Sequence, residues 1–325
     1  MANILIRSPR YVTQEVPATA NSGKLQLTID GTLEYQIVKN ASAASIITFE
    51  IAELCRDFVD ITFNGSYSPE TLDITLAIVF MSGLNGTGSY VSSYTEAHIG
   101  YDGYGTFMQG ADPVISVPNY LITKDPIKDS FNIYIPENTS GKIPIINASN
   151  IFTYATYTTS DTSITYNGLD CNINRINCTK YGIGHKITFV NRLGALQDLW
   201  FFLKSVRSTE IAKETYNSNT LITSSGTATY SVNAPTKTVY NKLAKTKVTL
   251  SSGYYPEGAN HFFEELLISE QIWLTQPNPY DLTQTQVVPV IISSNSFTMK
   301  TSLNDKLIEY TMDFEMAFDY INNVR

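Results

Sequence analysis

Alternation of apolar and polar residues is the feature that most limits what this chain can fold into. From residue 308 onward, Ile308, Tyr310, Met312, Phe314, Met316 and Phe318 fall on one side of an extended backbone, and Glu309, Thr311, Asp313 and Glu315 on the other. Side chains of a strand point alternately to its two faces, so a period of two predicts a strand with one buried face. Residues 24–38 repeat the pattern. Leu25, Leu27 and Ile29 alternate with polar residues, Asp30-Gly31 interrupts, and Leu33, Tyr35 and Ile37 resume. Two alternating runs about Asp-Gly predict a hairpin. Further strands are predicted over 71–80, at 131–135 ended by Pro136, within 152–167, and at 186–191 and 197–204. Residues 296–301 are the expected partner of the last strand, turned through Leu303-Asn304-Asp305.

Two amphipathic helices interrupt the strands. Near 48–59, Thr48 is placed to cap, Glu50 suits the first turn, and Ile51, Leu54, Cys55 and Phe58 recur at helical spacing. Near 258–273, Asn260 is the expected cap, Glu264 and Glu265 suit the first turn, and Phe262, Phe263, Leu266, Leu267 and Ile272 form a stripe. Each half thus reads as strands, one helix, then strands. The 325 residues suffice for two domains, set at 1–170 and 171–325. The expected class is mainly β, with sandwich or barrel domains each flanked by one helix. No residue-level repeat accompanies this symmetry, so duplication and chance alternation explain it equally. Two segments break the pattern. Residues 81–119 are rich in Gly, Ser, Tyr and Asn and read as a long loop, with Tyr101, Tyr104 and Phe107 as candidate contact residues. Residues 216–241 are rich in Ser, Thr and Asn and read as exposed hairpins or a mobile excursion.

Charge narrows the function classes. Lys and Arg number 22 against 30 Asp and Glu, a net charge of −8 with no basic run, which argues against nucleic-acid recognition. Charged residues are only 16%, below the usual quarter, and Tyr occurs 21 times. A low-charge, Tyr-rich surface suits protein contacts, and an AT-rich coding sequence gives the same composition. No apolar leader precedes the first strand and no stretch is long enough to span a bilayer, which together predict synthesis in the cytoplasm. Cys55 reads as a core residue. Cys171 and Cys178 are spaced for a hairpin disulfide or remain reduced thiols, and they lack metal-ligand spacing.

Catalytic patterns are not found. His98, His185 and His261 lie far apart in unlike contexts, and no nucleophile elbow, phosphate loop, dinucleotide fingerprint or zinc motif occurs. The chain is therefore expected not to be an enzyme and to need no cofactor or metal. One cluster is distinctive: Asn191-Arg192-Leu193-Gly194-Ala195-Leu196-Gln197-Asp198-Leu199-Trp200-Phe201-Phe202. Arg192 and Asp198 bracket its turn, where they could lock the turn or join subunits. Glu315, on the polar face of the last strand, is a further interface candidate.

That cluster, with the preceding Phe189-Val190, resembles a motif in virion proteins of phages infecting Bacteroidetes and marine bacteria. So do Tyr101-Asp102-Gly103-Tyr104-Gly105-Thr106-Phe107 and the two ends of 303–325. The resemblance touches about a third of the chain at separated points. It implies a tail component of a tailed bacteriophage, such as a distal tail, baseplate hub or connector ring, with tail-tube-like β domains. It also implies partners among copies of the chain and other tail proteins, a place in the virion tail, and no catalytic residues. The rival expectation is a host-receptor or glycan-binding module in which loop aromatics stack on sugars and contact the host surface.

Overall fold

The computed structural model describes residues 2–113, 115, 119–149, 151–177, 184–278, 281–294, 298–300 and 307–320. The first third forms β1 (Ala2–Leu5), β2 (Tyr11–Glu15), β3 (Ser22–Ile29), β4 (Thr32–Asn40), β5 (Ile46–Glu50), β6 (Leu72–Met81) and β7 (Tyr90–Tyr101). β3 and β4 are the expected hairpin, with Leu25 opposite Ile37 and Leu27 opposite Tyr35. Asp30 and Gly31 take φ of 48° and 81°, the pair of positive angles a tight two-residue turn needs. The sheet runs β1-β7-β6-β3-β4, with β1 parallel to β7 and β2 pairing β5 as a separate ribbon. Val12, Ile47 and Phe49 of the ribbon share one core with Leu25, Leu27, Leu76 and Ile78 of the sheet.

Two expectations are corrected here. Thr48 lies in β5, and the helix α1 is only Ala52–Arg56. The Glu50 carboxylate takes the capping part, accepting from the amides of Ala52 (2.9 Å) and Glu53 (3.2 Å). Cys55 is buried as expected, while Phe58 falls past the helix end and is partly exposed against Tyr35. Residues 81–119 are not one loop. β7 occupies twelve of them, antiparallel to β6 from Gly100 opposite Leu72 to Tyr90 opposite Met81. Only three of the twelve β7 residues are buried, so few of its positions demand an apolar side chain, and the alternation that reveals a strand is faint.

The middle contributes β8 (Phe131–Pro136), β9 (Gly141–Ile146), β10 (Phe152–Tyr157), β11 (Ser163–Tyr166) and β12 (Leu169–Ile176). β9 pairs β10, and β12 lies between β11 and β8, parallel to the latter. Arg175 ties the end of β12 to the carbonyls of Thr139, Thr158 and Asp161. Tyr120, Phe131, Ile143 and Ile173 belong to the same hydrophobic cluster as the strands of the last third. The division expected at 170/171 falls inside β12 and inside that cluster.

The last third holds β13 (His185–Val190), β14 (Leu196–Phe201), β15 (Ser205–Asn217), β16 (Leu221–Ser224), β17 (Thr227–Tyr230), β18 (Lys237–Ser251), β19 (Tyr255–Pro256), α2 (Asn260–Ile268), β20 (Ile272–Asn278), β21 (Asp281–Ile292), β22 (Leu307–Ile308) and β23 (Thr311–Met316). Seven strands form one sheet in the order β14-β13-β20-β21-β23-β18-β15. The architecture is mainly β, as expected. The last strand has the predicted register: Ile308, Tyr310, Met312, Phe314 and Met316 are buried, and Thr311 and Asp313 are exposed. Phe318 lies beyond the strand and is exposed. The strand's partners are β18 and β21, with Val248 and Ile292 opposite Phe314. The expected partner segment does not pair at 298–300, and its other residues lie outside the described ones.

α2 covers the buried face of this sheet. Phe263 meets Phe201, Tyr255 and Tyr310 edge-on or tilted at 5.0–6.3 Å, and Phe201 meets Phe314 at 5.7 Å. Asn260 does not cap the helix. It is buried, donates to the Lys300 carbonyl and accepts from the Tyr310 hydroxyl. Ile272 belongs to β20, because the helix ends at Ile268.

Candidate interaction surface

The two motifs singled out in the sequence meet each other. Tyr104 donates its amide to the Arg192 carbonyl (2.8 Å), and the Arg192 guanidinium donates to Gln109 Oε1 (2.8 Å). The backbones touch so closely that a Cβ on Gly103 would lie 2.6 Å from the Arg192 oxygen, and one on Gly194 would lie 2.6 Å from the Asp102 nitrogen. Gly194 also needs its φ of 79° for the turn. Asn191, to which no sequence pattern assigns a part, organises the turn. Its buried amide donates to the Leu121 carbonyl and Gln197, and its oxygen accepts from the amides of Leu193 and Ala195. The Glu265 carboxylate, brought by α2, accepts from the amide of Arg192 and from Thr123. Burial raises its pKa above the ordinary carboxylate value. Asp102 completes the junction, gripping Arg7 through two 2.6 Å bonds, and the Arg7 guanidinium also lies 3.3 Å from Glu270. Both groups are largely buried, and the Asp102 bonds raise the Arg7 pKa.

This junction redistributes the interface candidates. Tyr101 is 0% exposed and packs on Phe152, and burial raises its pKa to about 12. Its ring is inside the core, where no sugar or partner can stack on it. Tyr104 is half-buried. Phe107 is 98% exposed, and with Met108 it forms the apolar tip of one short turn closed by Thr106 and Gln109. Arg192 and Asp198 do not pair. Asp198 instead accepts from the Tyr67 hydroxyl (2.5 Å) and Thr188 (2.7 Å), with Lys186 at 3.6 Å. It thereby anchors the irregular segment after α1 to β14. Glu315 is half-buried and pairs with Lys245 at 2.6 Å across the polar face.

The largest exposed apolar feature is the segment read as exposed hairpins. β15 and β18 pair antiparallel from Ser205 opposite Leu250 to Asn217 opposite Lys237, but β23 covers β18 only over Lys247–Ser251. Beyond that cover a two-stranded arm projects from the sheet edge, about 30 Å at the usual rise per strand residue. β16 and β17 pair at its end. Every residue of β15, β16 and β17 is exposed. Ile211 and Tyr240 are each 64% exposed, and Tyr216, Leu221, Ile222 and Tyr230 are also open to solvent. A bulge at Glu214/Thr215 coincides with a contact between Tyr216 and Tyr240 at 6.1 Å. The outer edge of β15 has no strand partner among the described residues. Such an edge is a template for another chain, and an exposed apolar surface of this extent marks a contact site.

Chemistry elsewhere is sparse. His98 lies buried in β7, and burial lowers the pKa of His185 and His261. Among the described residues no three His, Cys, Asp or Glu side chains converge on a metal site. Cys171 is buried, and Cys178 lies outside the described residues. No helix among them is long and apolar enough to cross a membrane. No protein-family model, no curated protein and no solved structure matches this chain.

Proposed function

We propose that this chain is a structural component of a viral particle, assembling through protein–protein contacts in the tail of a tailed bacteriophage, and that it is not an enzyme. The observation that carries the assembly reading is the arm. A two-stranded ribbon with apolar side chains open on its surface gains core burial from its own chain only at its base, at Ala244 and Thr246, and isolated ribbons are marginal in water. Its Ile, Leu and Tyr side chains are accounted for when a partner covers them. The tail assignment rests on the sequence resemblance, with copies of the chain and other tail proteins as partners. The buried Tyr101 weighs against the glycan-binding alternative, because the loop then offers fewer aromatic faces.

Sedimentation of the purified full chain over a concentration series tests assembly, and labelled antibody on intact particles tests location. Association into a defined oligomer, with label at the tail, is the expected result. A chain that remains monomeric throughout and is missing from particles overturns the reading.

A further inference from the structure

Charge separates the arm from the body that carries it. Residues 205–251 hold six Lys and Arg against Glu210 and Glu214, a net of +4 in a chain of net −8, so the remainder stands at −12. The two arm carboxylates are already engaged, Glu210 with Lys247 at 2.7 Å and Glu214 with Asn241. Lys245 is taken by Glu315. Arg207, Lys213, Lys237 and Lys242 make no ion pair among the described residues. Lys213 and Lys242 stand directly opposite each other on the ladder, beside Ile211 opposite Ala244 and Ala212 opposite Leu243. Like charges facing across a strand pair repel, and a carboxylate-bearing surface laid over them removes the repulsion.

The body offers the complement at the far side of the same sheet. Glu53, Asp57, Asp60, Glu70 and Asp73 make no ion pair among the described residues, and the one cation in that stretch, Arg56, is held by Glu270. This segment is pinned where β14, β13 and β20 lie: Ile61 and Phe63 pack with Val190, Leu196 and Trp273, and Tyr67 bonds Asp198. The arm leaves from β15, the opposite edge of the seven-stranded sheet. Six strand spacings separate the two edges, about 29 Å.

Building on the assembly reading above, we infer that the basic arm of one copy docks on the acidic segment 53–73 of the next copy, with Ile211, which shares the face of Lys213 and Lys242, buried beneath the contact. Donor and acceptor surfaces lie at opposite edges, so the contact is heterologous. It propagates head to tail and closes into a ring when the rotation permits.

The test is a charge swap read by sedimentation of the full chain at low and high salt. K213E/K242E and D57K/D60K each place reversed charge at exposed positions, and thermal melts of both are compared with the parent. Each variant alone is expected to associate at least tenfold more weakly than the parent. An equimolar mixture is expected to recover association, because each reversed surface then meets its complement on the other variant. If the parent associates and the reversals leave it unchanged, or the mixture fails to recover, the docking site is overturned while self-assembly stands. A parent that is monomeric at every concentration overturns self-assembly and this contact together. Should a reversal unfold the chain, K213Q/K242Q and D57N/D60N take its place, and unchanged association overturns the inference in the same way.

Discussion

Phe314 and Glu315 are neighbours in sequence and opposites in environment. Phe314 is 1% exposed and meets Phe201 edge-on, and truncating a buried Phe to Ala costs about 3–5 kcal/mol. Phe314→Ala should lower the denaturant midpoint accordingly. Glu315→Ala removes only a partly exposed pair with Lys245 and should change stability by less than about 1 kcal/mol. At the junction, Asp102→Ala strands the buried Arg7 guanidinium. The expected loss is about 3 kcal/mol, at the low end for a broken buried pair because Glu270 remains near, and it is read from the same unfolding curves. Glu265 gives a pH signature. Its folded pKa is raised, so its contribution is complete below the ordinary carboxylate pKa of about 4.3 and declines as pH rises toward the higher folded value. Glu265→Gln should flatten that decline in melts taken from about pH 4 to 8; an unchanged slope would place the titration elsewhere. His261 acts with the opposite sign. Burial lowers its pKa, so stability is full above the ordinary value and falls as pH drops through it.

At the scale of elements, similar compositions take different parts in the arm, which is exposed as expected, and in β7, which is a strand instead of a loop. Both are rich in Ser, Thr and Tyr, yet β7 is bonded on both sides, to β6 and β1, whereas β15 is bonded only to β18 and is exposed throughout. Removing residues 85–110 therefore takes out a central strand, and the product should be insoluble or unfolded by circular dichroism. Replacing residues 209–246 by a short turn removes no residue of the main cluster. That product should keep the parental melting temperature within a few degrees while losing concentration-dependent association. A soluble, cooperative 85–110 deletion would show that β7 is dispensable.

For the whole molecule, the fragment 1–170 should not fold as a unit. It carries Tyr120, Phe131 and Tyr157 without Phe189, Phe201, Phe263 and Phe314, their companions in one cluster. Proteolysis of the fragment should spare the sheet around Leu25 and Leu76, which is complete at the end of β7, and degrade the residues beyond Tyr101. Local features were legible in the chain itself. The Asp30-Gly31 hairpin, the two-faced last strand, the apolar stripe of α2 and the exposed character of 216–241 arise from period, turn chemistry and polarity, which act between near neighbours. Long-range packing settled the rest. It turned Tyr101 inward, gave Arg192 to Tyr104 and Gln109 instead of Asp198, and made Glu50 and not Thr48 the cap of α1. It also joined the Gly103 and Gly194 backbones, ninety-one positions apart in the chain. Those outcomes depend on which distant surfaces come into contact, and residue spacing along one chain carries no information about a partner that only folding supplies.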